Sequence, residues 1–242
     1  MSTGVRRQRE RLARERLILD TARRMLADKG YLSLNMDRIA EAVEYSKGTI
    51  YQHFSSKEDL IAALCNDTAE ARAEMFQKAA SFDGTTRERV LAIGIADAIF
   101  IRRHPDHFAV ESILDLESVA SKITDERKHR WIRTKSAMMA VLTGIVEDAI
   151  RAGDLDLPDA LPLCAPLYGL WTQSVGHYRI TASEPLPPFE GIDLHAVLWG
   201  NYNRLLDGYG WKPLSTEKDY RESAARISHE AFGEPMPVGI KE

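Results

Sequence analysis

The side chains best equipped for chemistry in this sequence form a cluster of hydrogen-bond donors rather than a catalytic set. Lys47, Thr49, Tyr51, His53 and Lys57 follow one another at short intervals, with Ser46 and Gly48 between or beside them. Each donor can meet an anionic oxygen or the edge of a nucleic-acid base. A Lys donates to guanine O6 or N7, and a Thr can hydrogen-bond a base or touch a thymine methyl. A glycine at position 48 lets the backbone come close to a bound surface. No Gly-rich phosphate loop, nucleophile elbow or His-Glu-x-x-His run accompanies them. One other group, His104, His107, Glu111 and Asp115, has metal-ligand residue types. Its pattern is looser than zinc sites use, and a helix start with exposed carboxylates explains it. The expectation is no metal, no cofactor and no enzymatic reaction.

Two short helices must carry the donors. Asn35 is a good N-cap for the first, because its side-chain oxygen can accept a free backbone N–H. Ile39, Ala40 and Val43 then recur at helical spacing as one apolar stripe. Asp37 falls in the first turn, where the helix dipole favours a carboxylate. Glu44-Tyr45 makes a turn and Ser46 caps the second helix, a role that alone accounts for that serine. Ile50 and Phe54 are four residues apart and face inward, which leaves Lys47, Thr49, Tyr51 and His53 on the outer side. Tyr45 serves either as a phosphate donor or as a packing residue. The layout is that of a helix-turn-helix whose second helix enters the major groove of double-stranded DNA.

The run Ile39-Ala40, then Ser46-Lys47-Gly48-Thr49-Ile50-Tyr51-Gln52-His53-Phe54, then Ser56-Lys57-Glu58-Asp59-Leu60 resembles the signature of TetR-family (TetR/AcrR-like) transcriptional regulators. The resemblance covers about the first quarter of the chain. It implies an all-α fold, with an N-terminal three-helix helix-turn-helix DNA-binding domain and a C-terminal helical domain for ligand binding and dimerisation. It also implies that Tyr51, His53 and Lys57 hold the phosphate backbone, that Lys47 and Thr49 reach bases, and that Ser46, Gly48 and Arg38 lie at the contact.

Charge supports a divided molecule. The chain has 242 residues and a net charge of −4. Residues 1–57 hold 12 Lys and Arg against 7 Asp and Glu, whereas the remainder holds 20 against 29. A basic head on an acidic body suits a DNA-binding module joined to a second domain. Arg6, Arg7, Arg9, Arg11, Arg14 and Arg16 form the densest basic cluster, read either as a solvated helix start or as an arm reaching phosphates. No apolar run is long enough to span a membrane, and no secretory signal is visible. Two cysteines, Cys65 and Cys164, cannot build a disulfide framework, so a cytoplasmic protein is expected.

The rest of the sequence reads as successive helices. The first runs from about Arg9 to Lys29, burying Leu17, Ile18, Ala22, Met25 and Leu26, and Gly30 ends it. A connecting helix follows from Lys57 to about Ala80, with the DNA-binding domain assigned to residues 1–57 and the second domain to 84–242. Asp83-Gly84-Thr85-Thr86 is the expected boundary, with either threonine able to cap a helix that stops at His104-Pro105. Further helices are expected over Asp106–Val119, Thr124–Ala152, Asp159–Ile180 and Ile192–Tyr209. Tyr220–Phe232 could form one more, with frayed residues from Glu234 onward.

The resemblance implies a homodimer through the helices at about 159–180 and 192–209, with small residues at Ala165, Gly169 and Gly176 allowing close approach. It also implies an unidentified small-molecule effector, for which Phe100, His104, Phe108, Trp131, Met138, Met139, Trp171 and His177 are candidate lining residues. Plain core packing accounts for such residues as well. The function expected is a ligand-released repressor of a palindromic operator. An architectural DNA-binding protein without a ligand, or an enzyme carrying a helix-turn-helix domain, are the alternatives.

Overall fold

The computed structural model describes residues 3–105, 110–111, 114, 117–181 and 190–237. Among them the elements are helices: α1 (Thr3–Ser33), α2 (Met36–Ala42), α3 (Lys47–His53), α4 (Lys57–Ala80), α5 (Thr86–Arg103), α6 (Glu117–Ala120), α7 (Asp125–Ala152), α8 (Ala165–Thr181), α9 (Leu194–Gly208) and α10 (Tyr220–Ile227), followed by a π turn over Ser228–Phe232. No helix among the described residues is long and apolar enough to cross a membrane.

Local chemistry sets most boundaries. Asn35 Oδ1 accepts from the Asp37 N–H at 2.8 Å and starts α2. Thr85, not Thr86, caps α5 in a reciprocal box with Glu88, in which each side chain receives the other's backbone N–H. Asp193 and Asp219 cap α9 and α10 with their carboxylates, which accept backbone N–H groups of the first turn. Gly30 at φ 69° breaks the helical path inside α1, and Gly153 at φ 77° ends α7, both in a region that other residues enter at a cost.

The chain forms two compact units. The first comprises Met1–Ala69 with Ala109–Arg133, and the second Glu70–Phe108 with Thr134–Glu242. In the first, Ile18, Ala22, Ile39, Ile50, Phe54, Leu60 and Ile61 are fully buried together. In the second, α5 supplies Ile95, Ala96 and Ile99 to a core shared with Ile145, Val146, Leu206 and Trp211. The first break between the units falls at Ala69–Glu70, inside α4, and not at Asp83–Thr86, and residues 117–133 belong with the N-terminal helices. A buried carboxylate, described below, stitches them there.

Four further differences from the sequence reading have physical causes. α1 begins at Thr3 rather than Arg9, so the arginines from Arg6 to Arg16 lie on a helix and not on an extended arm. Leu17 is exposed, and Leu19 takes its place in the core. α8 begins at Ala165 instead of Asp159, since Pro158, Pro162 and Pro166 lack N–H donors and disfavour helix in the residues before them. Glu234 is not frayed, because Arg102 and Arg103 both pair with it. The helix expected over Asp106–Val119 falls largely outside the described residues. Gly169, expected to permit close packing, does so. A Cβ there would lie 2.8 Å from Leu205 Cδ2 on α9.

Candidate nucleic-acid interface

α2 and α3 form the pair predicted from sequence. The turn between them holds Glu44 at φ 56°. Ser46 then caps α3 by accepting from the Thr49 N–H at 3.1 Å, and the two hydroxyls lie 2.9 Å apart. Because Ile50 and Phe54 are drawn into the core, the opposite face of α3 is turned to solvent. Lys47, Gly48 and Gln52 are exposed there, and Tyr51 presents half of its surface. A Cβ added at Gly48 would meet the Ser46 hydroxyl at 3.7 Å, an ordinary contact, so that surface is open.

Tyr51, Lys57 and Arg38 border one open hollow together with Asn35 and Asp37. Donors from three helices thus converge on a single depression, as a phosphate contact needs. Burial lowers the Lys57 pKa, only partly offset by Glu58. Lys47 has a partner that the sequence reading did not foresee. Its ammonium lies 2.6 Å from Asp37 Oδ2 on α2, and both side chains remain largely exposed.

His53 requires a correction. Its side chain is only 4% exposed and turns toward Glu15 on α1, with Nδ1 at 3.7 Å from the carboxylate. Burial, opposed by Glu15 and reinforced by Arg11 and Arg14, lowers its pKa. At the end of a short helix, the last side chain rotates back over the helix body, and α1 lies there. His53 therefore does not stand with Lys47, Thr49 and Tyr51 on the outer face.

Behind α3 lies a polar cluster that sequence reasoning missed. Asp59 is buried, accepting from the Ser55 N–H at 3.2 Å, the Thr124 N–H at 3.0 Å and the Thr124 hydroxyl at 2.8 Å. Arg127 Nε lies 3.2 Å from the same carboxylate. Burial alone would raise the Asp59 pKa, but the Thr124 donors and Arg127 outweigh it and hold the group below its usual range. Arg127 also donates to the His53 carbonyl at 3.3 Å and sits over the Phe54 ring at 4.9 Å. The C-terminal end of α3 is thereby fixed by α7. The only sequence signal was a threonine followed by an acidic first turn, which marks a helix start and not its partner.

The second unit contains a cavity of about 690 Å3, counting its mouth. Its walls are mainly apolar, from Leu91, Leu167, Leu170, Trp171 and Trp199, with Arg72, Arg87, Asp97, Ser174 and Tyr202 also reaching it. Of the predicted lining residues, only Trp171 is placed on it. Phe100 is buried beside it, stacked at 4.8 Å on His104, and Met138 is core. Trp131 packs against the core of the other unit, and Met139 is exposed. His177 instead faces His195, with ring nitrogens 2.9 Å apart. Burial, with His195 beside it, lowers its pKa to about 4. Phe108 lies outside the described residues, as do His107 and Asp115 of the metal-type group. A better signal existed: Asp97 is a lone charge within Ile93-Gly94-Ile95-Ala96-Asp97-Ala98-Ile99-Phe100.

Comparison with known proteins agrees with this geometry. Residues 18–64, from the core of α1 through the start of α4, match the family described as bacterial regulatory proteins of the tetR family. The HTH-type transcriptional repressor AcnR of Corynebacterium diphtheriae is 42% identical over 62 residues, 26% of this chain. That stretch spans only 33% of AcnR, about a third of its length. A TetR/AcrR-family transcriptional regulator from Thermobifida fusca superposes with a TM-score of 0.61 at 22% identity, over 81% of this chain and 98% of that one. AibR, solved in complex with isovaleryl coenzyme A and operator DNA, gives a TM-score of 0.56 at 21% identity, over 81% and 98%. These two likenesses establish the fold over most of the chain, and the sequence match lies on the DNA-reading helices themselves. Residues 18–64 thus carry the N-terminal domain of bacterial regulatory proteins of the tetR family, on a chain whose fold is that of TetR/AcrR regulators.

Proposed function

We propose that this protein is a transcriptional repressor that binds a palindromic operator as a homodimer and is released by a small molecule held in the second unit. The observation that carries the reading is the solvent-facing side of α3, where Lys47, Thr49 and Tyr51 stand clear of a core anchored by Ile50 and Phe54. Lys47 and Thr49 read bases, whereas Tyr51, Lys57 and Arg38 hold phosphates, with Ser46 and Gly48 at the contact. His53 supports the helix from behind.

Dimerisation is supported by the outer faces of α8 and α9. Tyr168, Trp171, Ile180 and Val197 are exposed by 45–63% in the single chain, more apolar surface than an isolated helix pair normally presents to water. A homodimer carries two recognition helices, one for each half-site of a palindrome. Effector release is supported by the mainly apolar cavity with few polar groups. A molecule bound there shifts DNA binding only if it prefers one arrangement of the dimer over another.

Selection of random duplex DNA by the purified protein tests the reading. Enrichment of a palindrome with half-sites about one helical turn apart is expected. With that operator, Tyr51→Phe and Lys57→Ala should weaken binding equally across sequences, and Lys57→Ala should reduce the salt slope by about one unit. Changes at Lys47 or Thr49 should alter which sequence is preferred. Retention of DNA without enrichment, lost steeply with salt, would instead mark an architectural protein.

A further inference from the structure

We infer that the cavity of the second unit takes an uncharged, largely hydrocarbon molecule bearing a hydrogen-bond-accepting oxygen, such as an ester, ketone or lactone, and that the Arg72–Asp97 pair enforces the neutrality. The inference rests on the effector reading above and narrows it to a chemical class.

The charges that reach the cavity are already spent. Arg72 Nε and Nη2 both lie 2.7 Å from Asp97 Oδ1, with the two side chains 4% and 6% exposed. The Arg72 guanidinium is also covered by the rings of Phe76 and Phe100, at 5.2 and 5.7 Å. Arg87 is paired with Asp207 at 2.6 Å, and its Nη atoms are taken by the carbonyls of Asn203, Trp211 and Pro213. Among the described residues that line this space, each cation already has a counter-charge, so an entering carboxylate must compete with one. To recruit Arg72 it must strand Asp97, and a buried charge without a partner is costly. A cationic ligand meets the same obstacle from the other side, since Asp97 is held by Arg72.

The neutral polar groups are nearly spent as well. Ser174 donates to the Leu170 carbonyl at 3.0 Å, so the Tyr202 hydroxyl, in direct contact with Ser174, gives its proton to Ser174. Asn203 uses its amide on the Trp199 carbonyl and its oxygen on Arg87. Among the described residues lining the cavity, one buried polar atom has no hydrogen-bond partner: Arg87 Nε. It is a donor, and an unpaired buried donor calls for an acceptor oxygen in the ligand.

Trp171 and Trp199 in the wall supply the readout. The full-length protein is titrated with methyl octanoate, octanoate and octylamine, which share a chain and differ in head-group charge, while tryptophan emission is followed. Saturable binding of methyl octanoate, about tenfold or more tighter than either ion, is expected. Equal or tighter binding of octanoate or octylamine overturns the inference, and so does the lack of a saturable response to all three. Asp97→Asn leaves Arg72 without its counter-charge and should swing the preference to octanoate. Arg72→Gln, read by itself or where Asp97→Asn fails to fold by circular dichroism, should swing it to octylamine. A folded variant that keeps the wild-type preference removes the pair from the explanation. Operator binding is measured on the same samples. Methyl octanoate that fills the cavity without changing operator affinity defeats the effector reading and leaves the cavity chemistry standing.

Discussion

Glu44, in the tight turn before the recognition helix, shows how one residue can be placed at a cost. Its φ of 56° lies in the left-handed region, where a side chain meets the following carbonyl, and the residue is exposed. Glu44→Gly relieves that crowding but frees the unfolded chain, so we expect a net gain of roughly 0.5–1 kcal/mol in urea unfolding. A loss of stability would mean that the carboxylate makes an interaction worth more than the strain. At this scale the sequence was legible wherever chemistry is local. Asn35, Ser46 and Thr85 cap because an oxygen and an N–H a few residues away suffice. His53 was misplaced because its direction depends on Glu15 and Arg127, far away in the chain. Asp59 was missed for the same reason, since Thr124, just before α7, and Arg127 within it complete the site.

Among the elements, the C-terminal extension turns out to be bound to α5, and one α5 carboxylate gathers three of its side chains. Glu88 receives Lys218 at 2.8 Å, Ser223 at 2.7 Å and Arg226 at 3.0 Å, besides closing the cap with Thr85. Burial opposes its charged form, yet these donors outweigh burial and bring its pKa from 4.5 down to about 2. A carboxylate whose pKa falls on folding stabilises above its unfolded value and loses that contribution as pH drops through the folded one. Glu88→Gln should therefore lower stability by about 2–3 kcal/mol near neutral pH, and the deficit should vanish between pH 4.5 and about 2. Thermal unfolding of both proteins across that range is the check, and a pH-independent deficit would point to packing instead. Helix order along the chain was readable from periodicity and from Gly153 and His104-Pro105. The roles of Trp211, fully buried and donating to the Thr86 hydroxyl at 3.0 Å, and of Tyr220 over Arg87 at 4.6 Å were not, because composition marks this stretch as a polar tail.

For the whole molecule, the contrast between a basic head and an acidic body was visible from counting charges, and the likeness to TetR regulators from one motif. What remained hidden was where the cavity lies, since aromatic residues at helical spacing mark core and cavity alike. If α8 and α9 form the dimer, Tyr168→Arg combined with Val197→Arg should give monomers in sedimentation and lower operator affinity by about a hundredfold or more, because one half-site must then bind without the other. An intact dimer would place the interface elsewhere. The ion pair between Lys47 and Asp37 bears on how such a protein finds its operator. Both groups are largely exposed, and a pair of that kind is worth about 0–1 kcal/mol, so the right base can break it cheaply. Elsewhere on the chromosome the lysine stays with its internal counter-charge and adds little to the pull of random phosphates. Asp37→Asn should thus raise affinity for unrelated DNA more than for the operator, and lengthen each fruitless visit. If Lys47 reads a base as proposed, Asp37 makes the head less sticky so that it can search.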